Sequence, residues 1–509
     1  MNWEITTFLG YFVILLGVAL VFYFNGSNKN SEDFFLGGRS MGPWVTALSA
    51  QASDMSAWLL MGLPGSILAF GFGQMWIGIG LALGTAANWI LCARRLRTFS
   101  KAADDAITVP QYLTNRFAVD SRTLQLVCAL IFLFAYTIYV ASALVAGTSV
   151  FSTLFPQISP NTAMLVFLLI IVAYTFFGGF AAVCWTDFFQ GLLMMLALML
   201  VPIVVYFCHS ELLDPTALTT VYEYTDAATG AVTQCSFGGG LFNASWQDIV
   251  SGLGWGLGYF GMPHILVRFM AIRHEDELKI SRRIASIWVV ISMAVAVFIG
   301  IVGHAVSSVG RIPMLEGSAT ETVIVRLSDL LSSYGLLPAI VAGCILAGIL
   351  AATMSTADSQ LLAAASAFSE NVLQDVFGVK LTSKQNMLAA RLTVVVIAFI
   401  AIFLAADPNS NVFKIVSFAW AGFGATFGPA VLFALFWRRS NRQGVLAGLV
   451  AGGLMIFAWK FCVRPLGGIW DIYELMPAFV VNCIVLVVVS LATPAPDKSI
   501  TDVFDKVRD

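Results

Sequence analysis

Charge is what this chain has least of. Asp, Glu, Lys and Arg make up only 11% of its 509 residues, where a soluble protein carries about 25%. That deficit excludes a water-exposed globular surface over most of the length. Cysteine is also scarce. The eight thiols lie mostly inside apolar runs and show no CxxC or CxxH spacing, which excludes a zinc site or a disulfide framework and leaves small apolar packing. No P-loop, catalytic triad, zinc signature or basic nucleic-acid patch occurs. The longest hydrophilic stretches, 94–122, 209–245 and 309–334, are too short for a soluble domain. The first apolar run has no positive n-region before it and no small-residue cleavage site after it, so it does not read as a signal peptide.

What remains is apolar length. The chain is 59% hydrophobic with mean hydropathy +0.86. Runs long enough for a bilayer, about 20 mostly apolar residues each, recur throughout. Thirteen spans are predicted, at 6–25, 43–70, 74–93, 123–154, 161–182, 186–208, 246–267, 284–308, 335–368, 389–406, 412–437, 443–463 and 475–493. The fold class is therefore an all-α polytopic membrane protein. Lys and Arg gather in alternate loops, with Arg94, Arg95, Arg97, Lys101, Arg116 and Arg122 in one and Arg268, Arg273, Lys279, Arg282 and Arg283 in another, whereas 209–245 has none. The positive-inside rule then places the N-terminus outside and the C-terminus in the cytoplasm.

Two spans are unlike the others. The second carries Thr46, Ser49, Gln51, Ser53, Asp54 and Ser56, then Gly62, Pro64 and Gly65; the seventh carries Gly252, Gly254, Gly256, Gly258 and Gly261 before Pro263. Glycine costs about 1 kcal/mol and proline about 3 against alanine in a helix interior. These segments read either as close helix packing through small residues or as unwound helices whose carbonyls and amides face a site. They lie five spans apart, the signature of an inverted repeat with a site at the midplane. The division that follows is 1–42 for a peripheral helix and loop, 43–208 for the first repeat, 209–245 for an acidic extracytoplasmic loop, 246–437 for the second repeat, 438–493 for two peripheral spans and 494–509 for a tail. The core is thus a five-plus-five inverted repeat with interrupted helices.

Asp54 is the sharpest single residue. It lies in the otherwise uncharged stretch 43–70, and a carboxylate inside a span costs roughly 2.5–3.5 kcal/mol on insertion scales. It therefore faces a cavity, a partner or an ion. Ser355 and Ser359 share a helix face in the ninth span, with Thr356 beside them. Hydroxyls and freed carbonyls suit a hard cation such as Na⁺, although membrane Ser and Thr also bond back to their own helix. Asp187, in the short link between spans five and six, reads as a helix N-cap or as an ion-relay carboxylate. Asp358 reads in the same way, as a solvated or paired residue near a cytoplasmic vestibule or as an ion-relay carboxylate. If both approach Ser355 and Ser359, a second cation or proton site results. Trp58, Tyr139, Trp255 and Tyr259 are candidates for a solute cavity, or for packing and interface belts. His264 and Arg268 read as an interface residue and a positive-inside anchor.

At this point the chain resembles the sodium:solute symporter family, and within it the sodium/proline branch, over about 8–490. The matches are Phe35-Leu-Gly-Gly-Arg39-Ser40, Thr46-Ala-Leu-Ser-Ala50, Ser53-Asp-Met-Ser56, Trp58-Leu-Leu-Met-Gly-Leu-Pro-Gly65, Gly254-Trp-Gly-Leu-Gly-Tyr-Phe-Gly261, Met354-Ser-Thr356 and Ala419-Trp-Ala-Gly-Phe-Gly424. The resemblance implies a sodium site at the carbonyls of Ala52, Met55 and Ala352 and the hydroxyls of Ser355 and Thr356, with Asp54 needed for coupling. It implies solute contacts at Ser56, Trp58, Tyr139, Trp255, Tyr259 and Pro263, and a functional cytoplasmic Arg39. Asp187, Ser355, Asp358 and Ser359 fall where some relatives hold a second sodium. Ala57 stands where glycine is usual, and 209–245 is longer than in close relatives.

The implied activity is sodium-coupled uptake of L-proline across a bacterial inner membrane by alternating access. No enzymatic step, no cofactor beyond Na⁺ as coupling ion, and no obligate protein partner is expected. The rivals are symport of another small organic solute such as pantothenate, a passive facilitator or channel, and a sensor or membrane enzyme.

Overall fold

A computed structural model describes residues 3–24, 31–117, 122–208, 222–225, 232–235, 244–406 and 411–508. The architecture is helical, apart from one two-stranded hairpin, Tyr222–Thr225 against Val232–Cys235, in antiparallel register with Tyr222 opposite Cys235. Most of the acidic loop 209–245 lies outside the described residues.

Among the described residues, eight helices are long and apolar enough to cross a membrane. A bent pair, Phe72–Leu91 with Ala93–Ala102, adds a ninth, and Glu4–Leu15, Trp58–Phe70 and Pro160–Ala173 are shorter apolar helices. Length and hydropathy do not by themselves deliver the predicted thirteen among the described residues, and two of the predicted spans, 43–70 and 246–267, are broken into shorter helices. The bundle turns large apolar side chains outward, such as Phe403, Val13 and Leu337, as lipid contact requires.

The order of elements repeats. A broken span comes first, Pro43–Asp54 then Trp58–Phe70. It is followed by Met75–Leu91, Arg122–Leu154 and Pro160–Cys208, the last divided by a kink at Gly179 whose φ of 74° suits glycine. A second broken span follows, made of Trp246–Gly254, the tighter Trp255–Gly261 and Pro263–Ala271. Leu278–Ser308, Leu336–Ser366, Ser383–Ala405 and Val412–Phe436 complete the second set. Local sequence sets these ends. Pro43 and Pro263 occupy first turns, where a missing N–H is harmless. Ser245 and Asp248 form a reciprocal cap, as do Thr382 and Gln385.

The glycines of the second broken span serve both readings offered by the sequence. The segment is unwound, and it is also packed against backbone. A Cβ at Gly84 would lie 2.2 Å from the Gly256 carbonyl oxygen, and one at Gly258 would lie 2.0 Å from the Trp420 indole nitrogen. By contrast, Ala57 sits at φ −50°, ψ −21°. That is ordinary right-handed helical backbone, so the usual glycine is not needed at this break.

Candidate functional site

The first broken span ends its opening helix at Asp54. Met55 leaves helical geometry (φ −81°, ψ 71°), and Ser56 N–H donates to the Asp54 carbonyl at 2.9 Å. The break thus strands carbonyls that a continuous helix would use. Across from it runs the middle of Leu336–Ser366. Ser355 Oγ donates to the Ala52 carbonyl at 2.7 Å and to Ala352 at 3.1 Å; Thr356 Oγ1 lies 3.5 Å and 3.1 Å from the same two oxygens. All four residues are buried. Four of the five oxygens expected around a sodium therefore converge from two helices. Met55 contributes the break itself. The donor set is oxygen only, which fits a hard monovalent cation and not a soft metal.

The Asp54 carboxylate turns to the other side. Its Oδ2 accepts a 2.5 Å hydrogen bond from Tyr259 on the second broken span. Around this pair lie Trp58, Tyr139 and Trp255, with Met55, Leu81, Val416 and Trp420. The cavity among them is only about 10 Å³, room for about one water. The Trp58 and Trp255 rings sit 5.2 Å apart, and Trp255 stacks on Tyr473 at 5.0 Å. Trp255 also lines a much larger cavity of about 470 Å³, with Phe70, Glu321, Phe413 and Lys414. Trp255 thus lines both the wide vestibule and the tight inner pocket, and Trp58 lines the inner pocket alone.

Of the expected solute residues, Trp58, Tyr139, Trp255 and Tyr259 come together. Ser56 stands at the break, its Oγ accepting from Trp58 N–H at 3.1 Å. Pro263 lies apart from them, in a separate narrow cavity with Phe35, Thr108, His264 and Arg268. Trp420 was not singled out, although its motif was. Its indole N–H donates to the Trp255 carbonyl at 2.9 Å and holds the unwound segment in place.

Asp187, Asp358 and Ser359 also meet, in a way the sequence did not announce. Asp187 is no N-cap at a surface link. The break falls at Gly179, and Asp187 lies fully buried within the following helix. Arg268, read as a surface anchor, is 2% exposed. Its Nη2 reaches Asp187 Oδ2 at 2.8 Å and Ser359 Oγ at 2.6 Å, and its Nε reaches Ser49 Oγ at 2.7 Å. Ser49 in turn donates to Asp187 Oδ2 at 2.7 Å, and Ser359 to Asp358 Oδ1 at 3.3 Å. His264 is likewise buried, its backbone N–H donating to Tyr136. The only signal for Arg268 was its place five residues after Pro263, inside a freshly started helix and not beyond its end. Breaking such a buried pair by removing one partner typically costs 3–5 kcal/mol.

At one end of the broken spans, Arg39 is tied down from three sides. It donates to the carbonyls of Met270 at 2.8 Å and Ala106 at 2.9 Å, and pairs with Asp105 at 2.8 Å. Met41 N–H donates to Ala271, and Arg273 N–H to Met41.

The family model described as the sodium:solute symporter family matches residues 34–452. The chain belongs to the sodium:solute symporter family. It is 40% identical over 499 residues to a sodium/proline symporter of Haemophilus influenzae, covering 97% of this chain and 95% of that one. It is 41% identical over 502 residues to a sodium/proline symporter of Salmonella typhimurium, covering 97% and 94%. Among solved structures, a Na⁺-coupled sialic acid symporter in a substrate-bound outward-open state superposes with a TM-score of 0.75 at 19% identity, covering 98% of this chain and 99% of that one. That likeness carries the fold alone. As a member of the family, this symporter is a multi-pass membrane transporter and not an enzyme.

Proposed function

We propose that this symporter couples inward movement of Na⁺ to uptake of L-proline. The observation that carries the reading is the pairing of the Ser355 hydroxyl with the Ala52 carbonyl at a helix break whose Asp54 and Met55 line an aromatic pocket. Sodium takes the oxygens of Ala52, Ala352, Ser355 and Thr356, with Met55 at the break, and so fixes the first broken span. Asp54 adds negative potential and anchors Tyr259 across the gap. A small amino acid with an apolar ring then fits between Trp58, Tyr139, Trp255 and Tyr259 once the tryptophans part, its carboxylate meeting amide or hydroxyl donors such as Ser56. Ligands drive closure only through their differential affinity for the two states. The proline branch is favoured over other organic solutes by relatives at 40% and 41% identity that bear that name. The N-terminus lies outside and the C-terminus in the cytoplasm, by the distribution of Lys and Arg.

The deciding experiment is uptake of labelled L-proline into proteoliposomes with and without an imposed sodium gradient, competed by a panel that includes pantothenate. Sodium-driven accumulation blocked by unlabelled proline supports the reading. Accumulation blocked by another solute and not by proline replaces the cargo, and equilibration without accumulation makes the protein a facilitator.

A further inference from the structure

The turn between the last two spans, which the sequence places at the periphery, reaches the aromatic pocket. Two successive glycines, Gly467 and Gly468, at φ 70° and 59°, reverse the chain after the span that ends at Leu466. The residues that follow are fastened one by one. The Trp459 indole N–H donates to the Ile472 carbonyl at 2.9 Å. Glu474, 1% exposed, takes Lys460 at 3.4 Å and Arg464 at 3.2 Å, and Arg464 also pairs with Asp471 at 2.9 Å. Tyr473 stands between these fixed points and is itself buried. Its backbone N–H donates to Ser251 Oγ at 2.9 Å, on the helix that opens the second broken span, and its hydroxyl donates to the Ser417 carbonyl. Its ring lies nearly parallel to the Trp255 indole, with 19° between the planes.

We infer that Tyr473 is a positioning residue for the solute, holding the Trp255 indole in the wall that the inner pocket shares with the vestibule. The inference rests on the reading of that pocket as the solute site. Trp255 lines both cavities, whereas Tyr473 lines the vestibule and Trp58 the inner pocket. The three rings form a ladder from one cavity to the other, with Trp255 as the middle rung. Trp420 anchors only the backbone of Trp255, and the indole still turns about its own side-chain bonds. Tyr473 supplies the second anchor. A stacked aromatic pair contributes beyond its buried area, and a ring already tied at its backbone and its hydroxyl loses little freedom in making the stack. Without it, the surface on which a solute ring packs must be ordered anew at each binding. The last two spans also keep this turn in register with Val412–Phe436, the helix that carries Ser417 and Trp420. Pro429 lacks the N–H that would serve Ala425, and Asn482 Nδ2 donates to the carbonyls of Ala425 and Thr426 at 2.7 and 2.8 Å.

The test compares wild type, Tyr473→Phe and Tyr473→Leu as full-length protein in proteoliposomes. In Tyr473→Leu the half-saturating concentration of labelled L-proline rises about 2- to 12-fold. Maximal uptake changes less, and equilibrium binding of radioactive sodium without solute is unaltered. Tyr473→Phe, which keeps the ring, stays near wild type in all three. A second measurement needs no solute and follows the indole itself. In protein labelled with fluorotryptophan, the Trp255 resonance is assigned by its loss in Trp255→Phe. A water-soluble gadolinium chelate broadens that resonance more in Tyr473→Leu than in wild type or Tyr473→Phe. If Tyr473→Leu does not fold, Ser251→Ala, which releases the backbone of Tyr473, shows the same rise and the same broadening in smaller measure, and its matching wild type in both overturns the inference. So does unchanged proline half-saturation in folded Tyr473→Leu, a loss of sodium binding equal to the loss of proline affinity, an unaltered Trp255 resonance, or a Tyr473→Phe as damaged as Tyr473→Leu. Absence of proline uptake in wild type refutes the cargo instead, and the Trp255 resonance still decides whether Tyr473 holds the indole.

Discussion

Asp54 and Tyr259 illustrate how a single contact links two helices that are both interrupted. The carboxylate is buried and given to one phenol at 2.5 Å, and a hydrogen bond to a charged group contributes about 1.5–3 kcal/mol. Asp54→Asn is expected to weaken apparent sodium affinity severely, and Tyr259→Phe less so. The two should be coupled in a double-mutant cycle by about 0.5–3 kcal/mol, measured from half-saturating sodium in uptake assays. Additive effects would show that the bond does not transmit sodium binding. At the cage, Ser355→Ala and Thr356→Ala each remove one oxygen of four. The half-saturating sodium concentration should rise about 10- to 100-fold with maximal uptake less affected, the equivalent of about 1–3 kcal/mol. Near-normal sodium curves for both variants refute the cage.

Among elements, the second broken span is the one whose shape the sequence encodes twice, once as weak helix propensity and once as room for close neighbours. Gly258 faces the Trp420 indole with no space for a methyl group. Gly258→Ala must therefore displace Trp420 and with it the bond to the Trp255 carbonyl. Solute affinity should fall more than sodium affinity, since the cage lies on other helices; equal losses in both would count against that division. The segment Gly317–Thr322 supplies a second case. Glu321 is buried outside the membrane spans, and its carboxylate accepts the backbone N–H groups of Val412 and Phe413 at 2.7 Å each, capping that helix. Burial nevertheless pushes its pKa up from 4.5 to about 7. The folded state then keeps a proton that the unfolded chain releases, so the stability linked to Glu321 is full below pH 4.5 and declines as pH rises toward about 7. Thermal unfolding in detergent should show that decline in wild type and lose it in Glu321→Gln; identical slopes would remove the role.

These elements also show where sequence reasoning reaches its limit. The breaks at 55–57 and 255–262 were legible because glycine, proline and hydroxyl residues are costly in a span. The cage was legible because Ser355 and Thr356 sit mid-span. The environment of Arg268 was not legible, because its charge looked like one more loop cation until the restart of the helix at Pro263 placed it inside. Asp187 differs from its reading for the same kind of reason: the kink at Gly179 falls six residues before Trp185, so Trp185-Thr186 is helix and not a link. Pro263 shares the solute motif in sequence yet faces the other cavity, since the chain turns between Gly261 and Pro263.

For the molecule as a whole, the terminal helix Lys498–Arg508 is not a loose tail. Phe504 is buried between the guanidinium groups of Arg95 and Arg116 at 5.5 Å and 4.8 Å, and Arg438 grips Asp505. Phe504→Ala should lower stability by about 3–5 kcal/mol, read as a drop in the unfolding midpoint, with sodium affinity unchanged. An unaltered midpoint would mean the helix is not part of the folded unit.

The stitching of Met41 to Ala271 and Arg273, with Arg39 hooked over Met270, has a kinetic corollary. It fastens the beginning of one interrupted span to the finish of the other, so neither can swing at that face without dragging its companion. Any opening at that face must either carry both interrupted spans together or first break these three hydrogen bonds.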